Sequence, residues 1–164
     1  MANILLLGDP GVGKTTWIDR VIGKKFSDSY MTTLGKNMEE INIEGRKIFL
    51  HDMSGNERFQ EINVYYEIAD GALIFYDVSS KNSFERINYW KSKLNKNVPL
   101  VLIGNKADLL KDRLNFISCK EDKHIIQPLL ELIEKIPYIE HNESTILDWV
   151  MDFFYYYFSL YSTE

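Results

Sequence analysis

Apolar residues along the chain alternate between short uninterrupted runs and longer stretches with helical spacing. Five segments have the length and pattern of a strand, and they are residues 4–7, 39–43, 47–51, 72–76 and 100–103. Between the second and third of these lies Glu44-Gly45-Arg46, which is typical of a hairpin turn. The pattern therefore predicts one antiparallel pair among the strands.

Three segments are predicted to be helices, and they are residues 14–22, 83–94 and 121–136. The second segment carries one apolar face, formed by Phe84, Ile87, Trp90 and Leu94. Pro137 follows the third segment and is expected to end it. Strands that alternate with helices predict a doubly wound, mostly parallel α/β sheet, with the hairpin as its antiparallel edge.

The last part of the chain, residues 141–164, is rich in aromatic residues and is predicted to form an extra helix. Asn142, Ser144 or Thr145 is a suitable cap for its start. Its apolar residues recur at spacings of three and four, and they are Ile146, Val150, Phe153, Tyr157 and Leu160. We expect this helix to pack on a domain formed by residues 1–140.

A membrane-spanning reading of the same segment fails, because it contains Asp148 and Asp152 and is shorter than about 20 apolar residues. Binding at a membrane surface stays open as an alternative, as does contact with a partner protein. The lysines and arginines typical of interfacial helices are missing from it, however.

The composition is that of an ordinary domain with one core, since 45% of residues are hydrophobic and 26% are charged. A formal net charge of −5 gives no indication of a nucleic-acid surface. The single cysteine, Cys119, excludes an internal disulfide and is typical of a reducing compartment. No signal peptide opens the chain, so we expect a cytoplasmic monomer. His51, His124 and His141 lack metal-ligand spacing and are expected at surface or partly buried positions.

The first predicted strand leads into Gly8-Asp9-Pro10-Gly11-Val12-Gly13-Lys14-Thr15, which has the spacing of a phosphate-binding loop. A glycine-rich turn points backbone N–H groups inwards, and the helix that follows adds its positive N-terminal end. Lys14 is expected to reach the β- and γ-phosphates, and the Thr15 hydroxyl to bind the magnesium ion between them. The residues expected to contact the phosphates are Gly11, Val12, Gly13, Lys14, Thr15 and Thr16.

Three later segments indicate that the base is guanine; two of them follow predicted strands, and the third follows the short apolar run Phe116-Ile117. In Asn105-Lys106-Ala107-Asp108, the carboxylate can accept hydrogen bonds from guanine N1–H and its amino group, a donor pair that adenine lacks. In Asp52-Met53-Ser54-Gly55, the aspartate can hold magnesium through water, and the glycine leaves an N–H for the γ-phosphate. Ser118-Cys119-Lys120 is expected to close over the base. Each segment is a weak signal alone, but ligands of doubly wound sheets bind at these strand ends, so together they are strong.

With these motifs in this order, the chain resembles a Ras-superfamily small GTPase, and within that superfamily it is most similar to the Rab branch. Three further segments are similar to Rab sequences, namely Glu57-Arg58-Phe59, Tyr65-Tyr66 with Ala69-Asp70-Gly71, and Ile74-Phe75-Tyr76-Asp77-Val78. The resemblance covers roughly residues 3–136 and implies the P-loop small GTPase (G domain) fold.

The resemblance also implies roles for individual residues. Phe26 matches the aromatic residue that packs against the base, and Tyr30 matches the tyrosine that closes over the phosphates. Thr33 matches the switch threonine that senses magnesium and the γ-phosphate. Effector, exchange-factor and activator proteins are expected to bind through residues 28–38 and 54–66.

Several positions depart from the family pattern. Asn56 replaces the glutamine that positions the attacking water, and its side chain is one methylene shorter. Pro10 replaces glycine or serine, removes an N–H and crowds the route of an activator's arginine. Met38 and His51 replace aromatic residues of the effector face, so we expect unusual partners.

Two differences concern connections and ends. Only nine residues, 109–117, separate Asp108 from Ser118, where the resemblance implies a further helix. No C-terminal cysteine is present for prenylation, and Ala2 stands where myristoylation needs glycine. No lipid anchor is therefore visible, and peripheral membrane location is expected only if a prenylated tail lies beyond this sequence.

The expected function is a magnesium-dependent guanine-nucleotide switch that hydrolyses GTP slowly. Lys14, Thr33 and the backbone at Gly55 are expected to stabilise the developing charge, with Asn56 as a weak water-orienting group. One alternative is a GTP-binding scaffold that does not hydrolyse GTP and acts through protein partners. A P-loop kinase is disfavoured, because Asn105 and Asp108 have no role in one.

Overall fold

The computed structural model describes residues 1–27, 36–55, 64–110, 116–122 and 124–137. Within these ranges the strands form a single sheet, and they are β1 Ala2–Leu7, β2 Lys36–Ile43, β3 Arg46–Met53, β4 Gly71–Asp77 and β5 Leu100–Asn105. The strand order is β2-β3-β1-β4-β5. Only the β2–β3 pair is antiparallel in this sheet, which confirms the predicted fold class.

The helices in the described ranges are α1 Lys14–Val21, α2 Val64–Glu67, α3 Lys81–Glu85, α4 Ile87–Ser92 and α5 Gln127–Lys135. A single 3₁₀ turn follows β5 at Ala107–Leu109. The helices cover both faces of the sheet, because successive side chains of each strand point to opposite sides. None of the described helices is long and apolar enough to cross a bilayer.

Two cores result, one on each face of the sheet. On one face, α1 and α5 bury Trp17, whose indole N–H donates to the carbonyl of Ile125 at 2.7 Å and whose ring meets Phe75 edge-on. On the other face, Trp90 of α4 packs with Leu5 and Ile74. The central strands are buried on both sides, as is usual in doubly wound sheets.

The hairpin prediction is confirmed. Glu44 and Gly45 both have positive φ, 52° and 81°, as a two-residue turn of the primed type requires. The strands on either side are longer than predicted, because backbone pairing continues from Lys36 opposite Met53 to Ile43 opposite Arg46.

The single helix predicted over residues 83–94 is wrong, because the structure divides it between α3 and α4. Ser80, not Ser83, caps the start, and its hydroxyl accepts a hydrogen bond from the Ser83 N–H. Arg86 joins the two pieces with ψ of −4°, which departs from ideal helical geometry. Phe84 was predicted on the buried face, but it is 57% exposed because it belongs to the first, displaced turn.

The start of the helix predicted over residues 121–136 is also wrong, since α5 begins at Gln127. Asp122 and His124 have φ of 59° and 55°, and these left-handed values do not occur inside a right-handed helix. Pro128 lies in the first turn of α5, where its missing N–H costs nothing.

His51 was expected at a surface or partly buried position, and this expectation is wrong. His51 is 3% exposed, its Nε2 donates a hydrogen bond to Asn3 Oδ1 at 3.0 Å, and its ring makes a tilted contact with the Tyr65 ring. His124 is exposed, as expected. His141 lies outside the described residues, as does the extra helix predicted over residues 141–164, which stays a prediction.

The chain returns to β5 soon after the 3₁₀ turn. The Ile117 N–H donates to the carbonyl of Gly104, and the carbonyl of Ile117 accepts from the Ala107 N–H. These two bonds bring Ser118-Cys119-Lys120 back to the carboxyl end of the sheet, beside the residues that follow β5. Residues 111–115 of this connection lie outside the described ranges.

Candidate nucleotide site

The predicted phosphate-binding loop lies between β1 and α1, at the carboxyl edge of the sheet. Gly13 occupies the cap position of α1 with φ of 97°. A Cβ at Gly13 would lie 2.3 Å from the side-chain amide nitrogen of Asn105. Both the positive φ and this close contact therefore exclude a side chain at Gly13. Because Gly13 has no side chain to cap the helix, the N–H groups of the first turn are not covered by it and suit a phosphate.

Lys14 lies folded back over this loop. Its ammonium group donates to the carbonyls of Gly8 at 2.7 Å and Asp9 at 3.0 Å. Burial lowers the pKa of Lys14 to about 8, although the charges of Asp52 and Asp9 act in the opposite direction. A buried cation held mainly by neutral carbonyls is suited to a polyphosphate, which would restore the stabilisation that burial removes.

The Thr15 hydroxyl donates to Asp52 Oδ2 at 2.5 Å. Burial raises the pKa of Asp52, while the Thr15 hydrogen bond and the Lys14 charge oppose this rise. The other carboxylate oxygen, Oδ1, is buried and has no hydrogen-bond partner among the described residues. An unsatisfied buried carboxylate oxygen beside a hydroxyl fits a hard cation such as Mg²⁺ with its bound water.

The described residues contain no group of three His, Cys, Asp or Glu side chains that could hold a metal by themselves. Thr15 and Asp52 offer two protein oxygen atoms to a magnesium ion, and phosphate and water oxygens would complete its coordination. This matches the way Mg²⁺ is commonly held, by one or two protein oxygens together with phosphates.

Gly55 lies directly against the phosphate loop. A Cβ at this residue would be 2.4 Å from the nitrogen of Pro10 and 2.5 Å from the carbonyl carbon of Asp9. Both of these atoms are backbone, so no side chain can be accommodated without moving the loop. The predicted magnesium segment and the phosphate loop are thus brought together as expected.

Asn105 is the residue that joins the phosphate loop to the loops predicted to bind the base. Its Nδ2 donates to the Val12 carbonyl at 3.0 Å. Its Oδ1 accepts from the backbone N–H of Lys106 at 2.8 Å and of Cys119 at 3.3 Å. The side chain is 2% exposed, so these hydrogen bonds compete little with water.

Asp108 and Ser118 are also brought together. The Ser118 hydroxyl donates to Asp108 Oδ1 at 2.8 Å and accepts from the Glu121 N–H at 3.1 Å. Ser118 is fully buried, so it fixes the orientation of the carboxylate predicted to read guanine. Lys106, with φ of 67°, directs its ammonium group to Asp77 Oδ2 at 2.7 Å.

Phe26 and Lys120 lie beside each other, with the ammonium nitrogen 5.9 Å from the ring centroid. The two residues come from segments that are 94 positions apart, yet the fold places them on one side of the predicted base pocket. Cys119 contributes its backbone to the site, while its side chain is buried and burial raises the pKa of the thiol to about 12.

Three predicted site residues, Tyr30, Thr33 and Asn56, lie outside the described residues. Their roles stay predictions. Thr16, in the first turn of α1, is half-buried.

The sequence interpretation missed a second set of contacts to the phosphate loop. Asp9 Oδ1 accepts from Arg86 Nε at 2.8 Å and from the indole N–H of Trp90 at 2.9 Å. Arg86 also lies over the Tyr89 ring at 4.5 Å. A buried tryptophan needs an acceptor for its N–H, but the sequence does not show which of the carboxylates supplies it.

Comparison with known proteins agrees with this geometry. The model of the Ras family matches residues 3–141. The chain belongs to the Ras family. This confirms the predicted resemblance and the G-domain fold, and membership of the family supports a GTP-binding switch.

This Ras-family chain is similar to several Rab proteins. It is 37% identical over 136 residues to the Ras-related protein RABG3f of Arabidopsis thaliana, which covers 75% of this chain and 66% of the relative. It is 35% identical over 136 residues to the Ras-related protein Rab7 of Cenchrus ciliaris, again covering 75% of this chain and 66% of the relative. It is 33% identical over 153 residues to the Ypt/Rab-type GTPase avaA of Emericella nidulans, covering 85% of this chain and 72% of that protein. The chain spans about two thirds of the length of the first two relatives, 66% of each.

The hydrogen bonds of Asn105 give a first prediction. Asn105→Asp keeps the acceptor oxygen but places a negative charge against the Val12 carbonyl, where the amide now donates. Loss of a buried hydrogen bond with an uncompensated group costs about 1–3 kcal/mol, so we expect GDP to bind about tenfold or more weakly. Stopped-flow measurement of the GDP dissociation rate tests this. Asn88→Asp, on the exposed side of α4, is the matched control, and equal dissociation rates in the two variants would contradict the linking role of Asn105.

The lowered pKa of Lys14 gives a pH prediction. In nucleotide-free protein at pH 8.5, a group with a pKa of about 8 is largely uncharged, and a bound phosphate raises that pKa again. Binding of GDP should therefore take up about 0.7 proton at pH 8.5 and about 0.1 proton at pH 7, and GDP affinity should fall as pH rises above 8. Calorimetry at pH 8.5 in two buffers of different ionisation enthalpy measures the uptake. The same binding enthalpy in both buffers would show that Lys14 is already charged before binding. The control variant Lys135→Ala, at an exposed site, should take up as much proton as the unmodified protein.

Proposed function

We propose that the chain is a magnesium-dependent guanine-nucleotide switch that binds GTP and GDP and hydrolyses GTP slowly. The observation that carries the proposal is the position of Asn105. One buried carboxamide holds the Val12 carbonyl of the phosphate loop and the N–H groups of both base-reading segments. A loop that binds phosphate is thereby linked to a carboxylate placed for guanine.

Each described residue has a part in this proposal. Lys14 would exchange its two loop carbonyls for phosphate oxygens, and Thr15 with Asp52 would hold a magnesium ion and its water. When bound, magnesium supplies neutralisation of phosphate charge. Asp108, oriented by Ser118, would accept hydrogen bonds from the guanine base.

Slow hydrolysis is supported by the surroundings of Gly55. The nitrogen of Pro10 is the backbone atom nearest to the position of a Gly55 Cβ, and a proline nitrogen carries no hydrogen to donate. Asn56 follows Gly55 and is shorter than glutamine by one methylene. The shorter side chain of Asn56 weakens the positioning of an attacking water, whose orientation governs the rate in this class of reaction. Pro10 lacks an N–H and crowds the route by which an activator's arginine would enter.

Partner proteins are proposed to bind through residues 28–38 and 54–66, which precede and follow the β2–β3 hairpin in sequence. Met38 of β2 is 53% exposed, whereas His51 opposite it is buried against Tyr65. Of the two residues that depart from the aromatic pattern, Met38 is therefore the one that a partner would touch. We infer a cytoplasmic monomer, consistent with a free, buried Cys119.

A second candidate function is a GTP-binding scaffold without turnover. Pro10 and Asn56 favour it by the same reasoning that makes hydrolysis slow. The two functions share the nucleotide site and differ only in the measured rate of phosphate release.

The position of Asp108 predicts base specificity. Asp108→Asn replaces a guanine-accepting oxygen by a donor, so GTP should bind at least about tenfold more weakly while xanthosine triphosphate, which offers a carbonyl there, binds better. Competition of both nucleotides against a fluorescent GDP measures the change. Asp122→Asn, at an exposed turn, should leave the preference for GTP intact. Comparable affinity of the unmodified protein for ATP and GTP would refute the guanine assignment.

The residue at position 56 predicts the hydrolysis rate. Asn56→Gln should raise the single-turnover rate of GTP hydrolysis by about tenfold, because a displacement of the order of 1 Å can change such a rate by up to about 10²-fold. Phosphate release from preloaded protein in excess magnesium measures it, with the exposed Asn95→Gln as control. If the Asn56→Gln variant hydrolyses GTP at the same rate as the unmodified protein, Asn56 does not limit the reaction. If neither protein releases phosphate, the scaffold function is favoured.

A further inference from the structure

An apolar strip beside β5, on the face of the sheet that carries Trp90, is not covered by any helix of the described residues. The pairing register places Leu100, Leu102 and Gly104 of β5 beside Ala72, Ile74 and Tyr76 of β4, so all six lie on one face. Leu102 is 41% exposed and Phe84, which meets the Tyr76 ring edge-on at 5.3 Å, is 57% exposed. We call Tyr76, Phe84, Leu100 and Leu102 the β5 strip.

The strip is open because the described helices stop short of it. On the opposite face, α5 packs against both β4 and β5. On the face of the strip, α3 and α4 pack against β4. The chain rejoins β5 only at its carboxyl end, where Ile117 bonds to Gly104.

We propose that residues 142–164 dock on the β5 strip as an amphipathic helix and complete this face of the domain. The apolar residues of this tail, at positions 146, 150, 153, 157 and 160, form a stripe about 22 Å long in a helix, at 1.5 Å per residue. From the level of Leu100 to the level of Gly104, which pairs with Tyr76, the strip extends over about 13 Å at 3.3 Å per residue. It can therefore accommodate two to three turns of the tail helix, at about 5.4 Å per turn.

The position at which the described chain ends makes this docking reachable. A Cβ at Gly71, the first residue of β4, would lie 2.8 Å from Ile136 Cδ1, so α5 ends at the end of the sheet where the parallel strands begin. Arg46, at the start of β3, donates to the carbonyls of Ile136 and Pro137, so the chain leaves α5 three strands from β5. From Pro137, a layer of about 10 Å on each side of the sheet has to be passed to reach the opposite face. The path also crosses three strand spacings of about 4.8 Å, which makes it about 25 Å long. Residues 138–145 span up to about 26 Å, so they reach the strip when fully extended.

Opposite charges on the tail and on the helices beside the β5 strip favour docking at this surface. Residues 142–164 contain four acidic side chains and no lysine or arginine. Residues 81–96, which form α3, α4 and the turn after them, contain five basic side chains and one acidic side chain. Opposite charges along the two sides of an apolar contact favour this arrangement and fix its orientation.

A second apolar groove competes for the same tail. It has a volume of about 460 Å³ between the β2–β3 turn and α5, and it is lined by Ile43, Leu130 and Ile133. Its other lining residues are Glu44, Arg46 and Glu134, so the lining carries one more negative than positive charge. An acidic tail gains no net attraction there, whereas residues 81–96 have an excess of basic side chains, so the β5 strip is the better site.

Cysteine pairs in the full-length chain distinguish the two sites. Leu102→Cys is combined in turn with Ile146→Cys, Val150→Cys or Phe153→Cys, and Ile133→Cys with the same three positions is the matched control for the groove. Cys119 is buried and does not interfere. After mild oxidation of dilute protein, we expect at least one Leu102→Cys pair to give an internally crosslinked monomer about tenfold faster than any Ile133→Cys pair, as read by non-reducing gel and peptide mass analysis.

Several outcomes would overturn the proposal. Faster crosslinking from Ile133→Cys would place the tail in the groove, crosslinked dimers would place it on a second copy, and no crosslink from any pair would show that it docks on neither site. Sedimentation with phosphatidylcholine–phosphatidylserine vesicles, accompanied by loss of the crosslink, would assign the tail to a membrane.

Charge reversal keeps the test decisive if the cysteine variants fold poorly. In the otherwise unmodified chain, Asp148→Lys with Asp152→Lys should increase amide hydrogen exchange of β5 severalfold, because the repelled helix no longer covers it. The control Glu131→Lys, on the exposed side of α5, should leave exchange in β5 unchanged. Unaltered exchange in the tail variant would refute docking on the strip, whatever the protein's behaviour towards nucleotides.

Discussion

The carboxamide of Asn105 holds together three loops of the candidate nucleotide site. It is buried at the last position of β5, and its donor and acceptor atoms are used by Val12, Lys106 and Cys119. Gly13 lies so close to Asn105 that a Cβ on it would be 2.3 Å from the side-chain amide nitrogen, so no side chain fits between the two residues. In a low-dielectric interior these hydrogen bonds are strong, and each unsatisfied atom would be costly, so the loops keep one relative position.

Lys14 and Asp52 are buried where a ligand that carries both negative and positive charge would stabilise their charged forms. Burial disfavours the charged form of both Lys14 and Asp52, since it lowers the pKa of the first and raises the pKa of the second. Each is only partly compensated by protein groups, namely loop carbonyls for Lys14 and the Thr15 hydroxyl for Asp52. A polyphosphate with its magnesium ion would supply a negative group for the lysine and a positive one for the carboxylate. Binding of the proposed nucleotide would therefore also raise the stability of the folded protein.

The phosphate loop is also connected to the helices on one face of the sheet. Through Asp9 it bonds to Arg86 and Trp90, and these residues lie at the joint of α3 and α4 and within α4. The same helices border the β5 strip on the β4 side. A tail that docks on the strip would thus pack next to elements that hold the phosphate loop, which gives a physical route by which the C-terminal segment affects nucleotide binding.

The sequence alone determined the fold class and most of the segments that meet at the candidate nucleotide site, because these depend on local patterns. Strand runs, the Glu44-Gly45 turn and the motifs around Lys14, Asp52, Asn105 and Ser118 follow from residue type and spacing over a few positions, and the observed sheet and contacts agree with them. The family comparison confirms the interpretation that they supported.

Tertiary structure decided what depends on partners distant in sequence. Helical periodicity did not reveal that residues 83–94 are divided at Arg86, whose side chain bonds to Asp9, 77 positions earlier. It did not reveal that α5 begins only at Gln127, after two residues with left-handed backbone, or that His51 is buried beside Asn3 and Tyr65. The exposure of Leu102 likewise follows from which helices reach β5, since the residue itself is as apolar as its buried neighbours. Residue type sets the preference for burial or for a hydrogen bond, but only the assembled sheet and helices supply the neighbour that satisfies it.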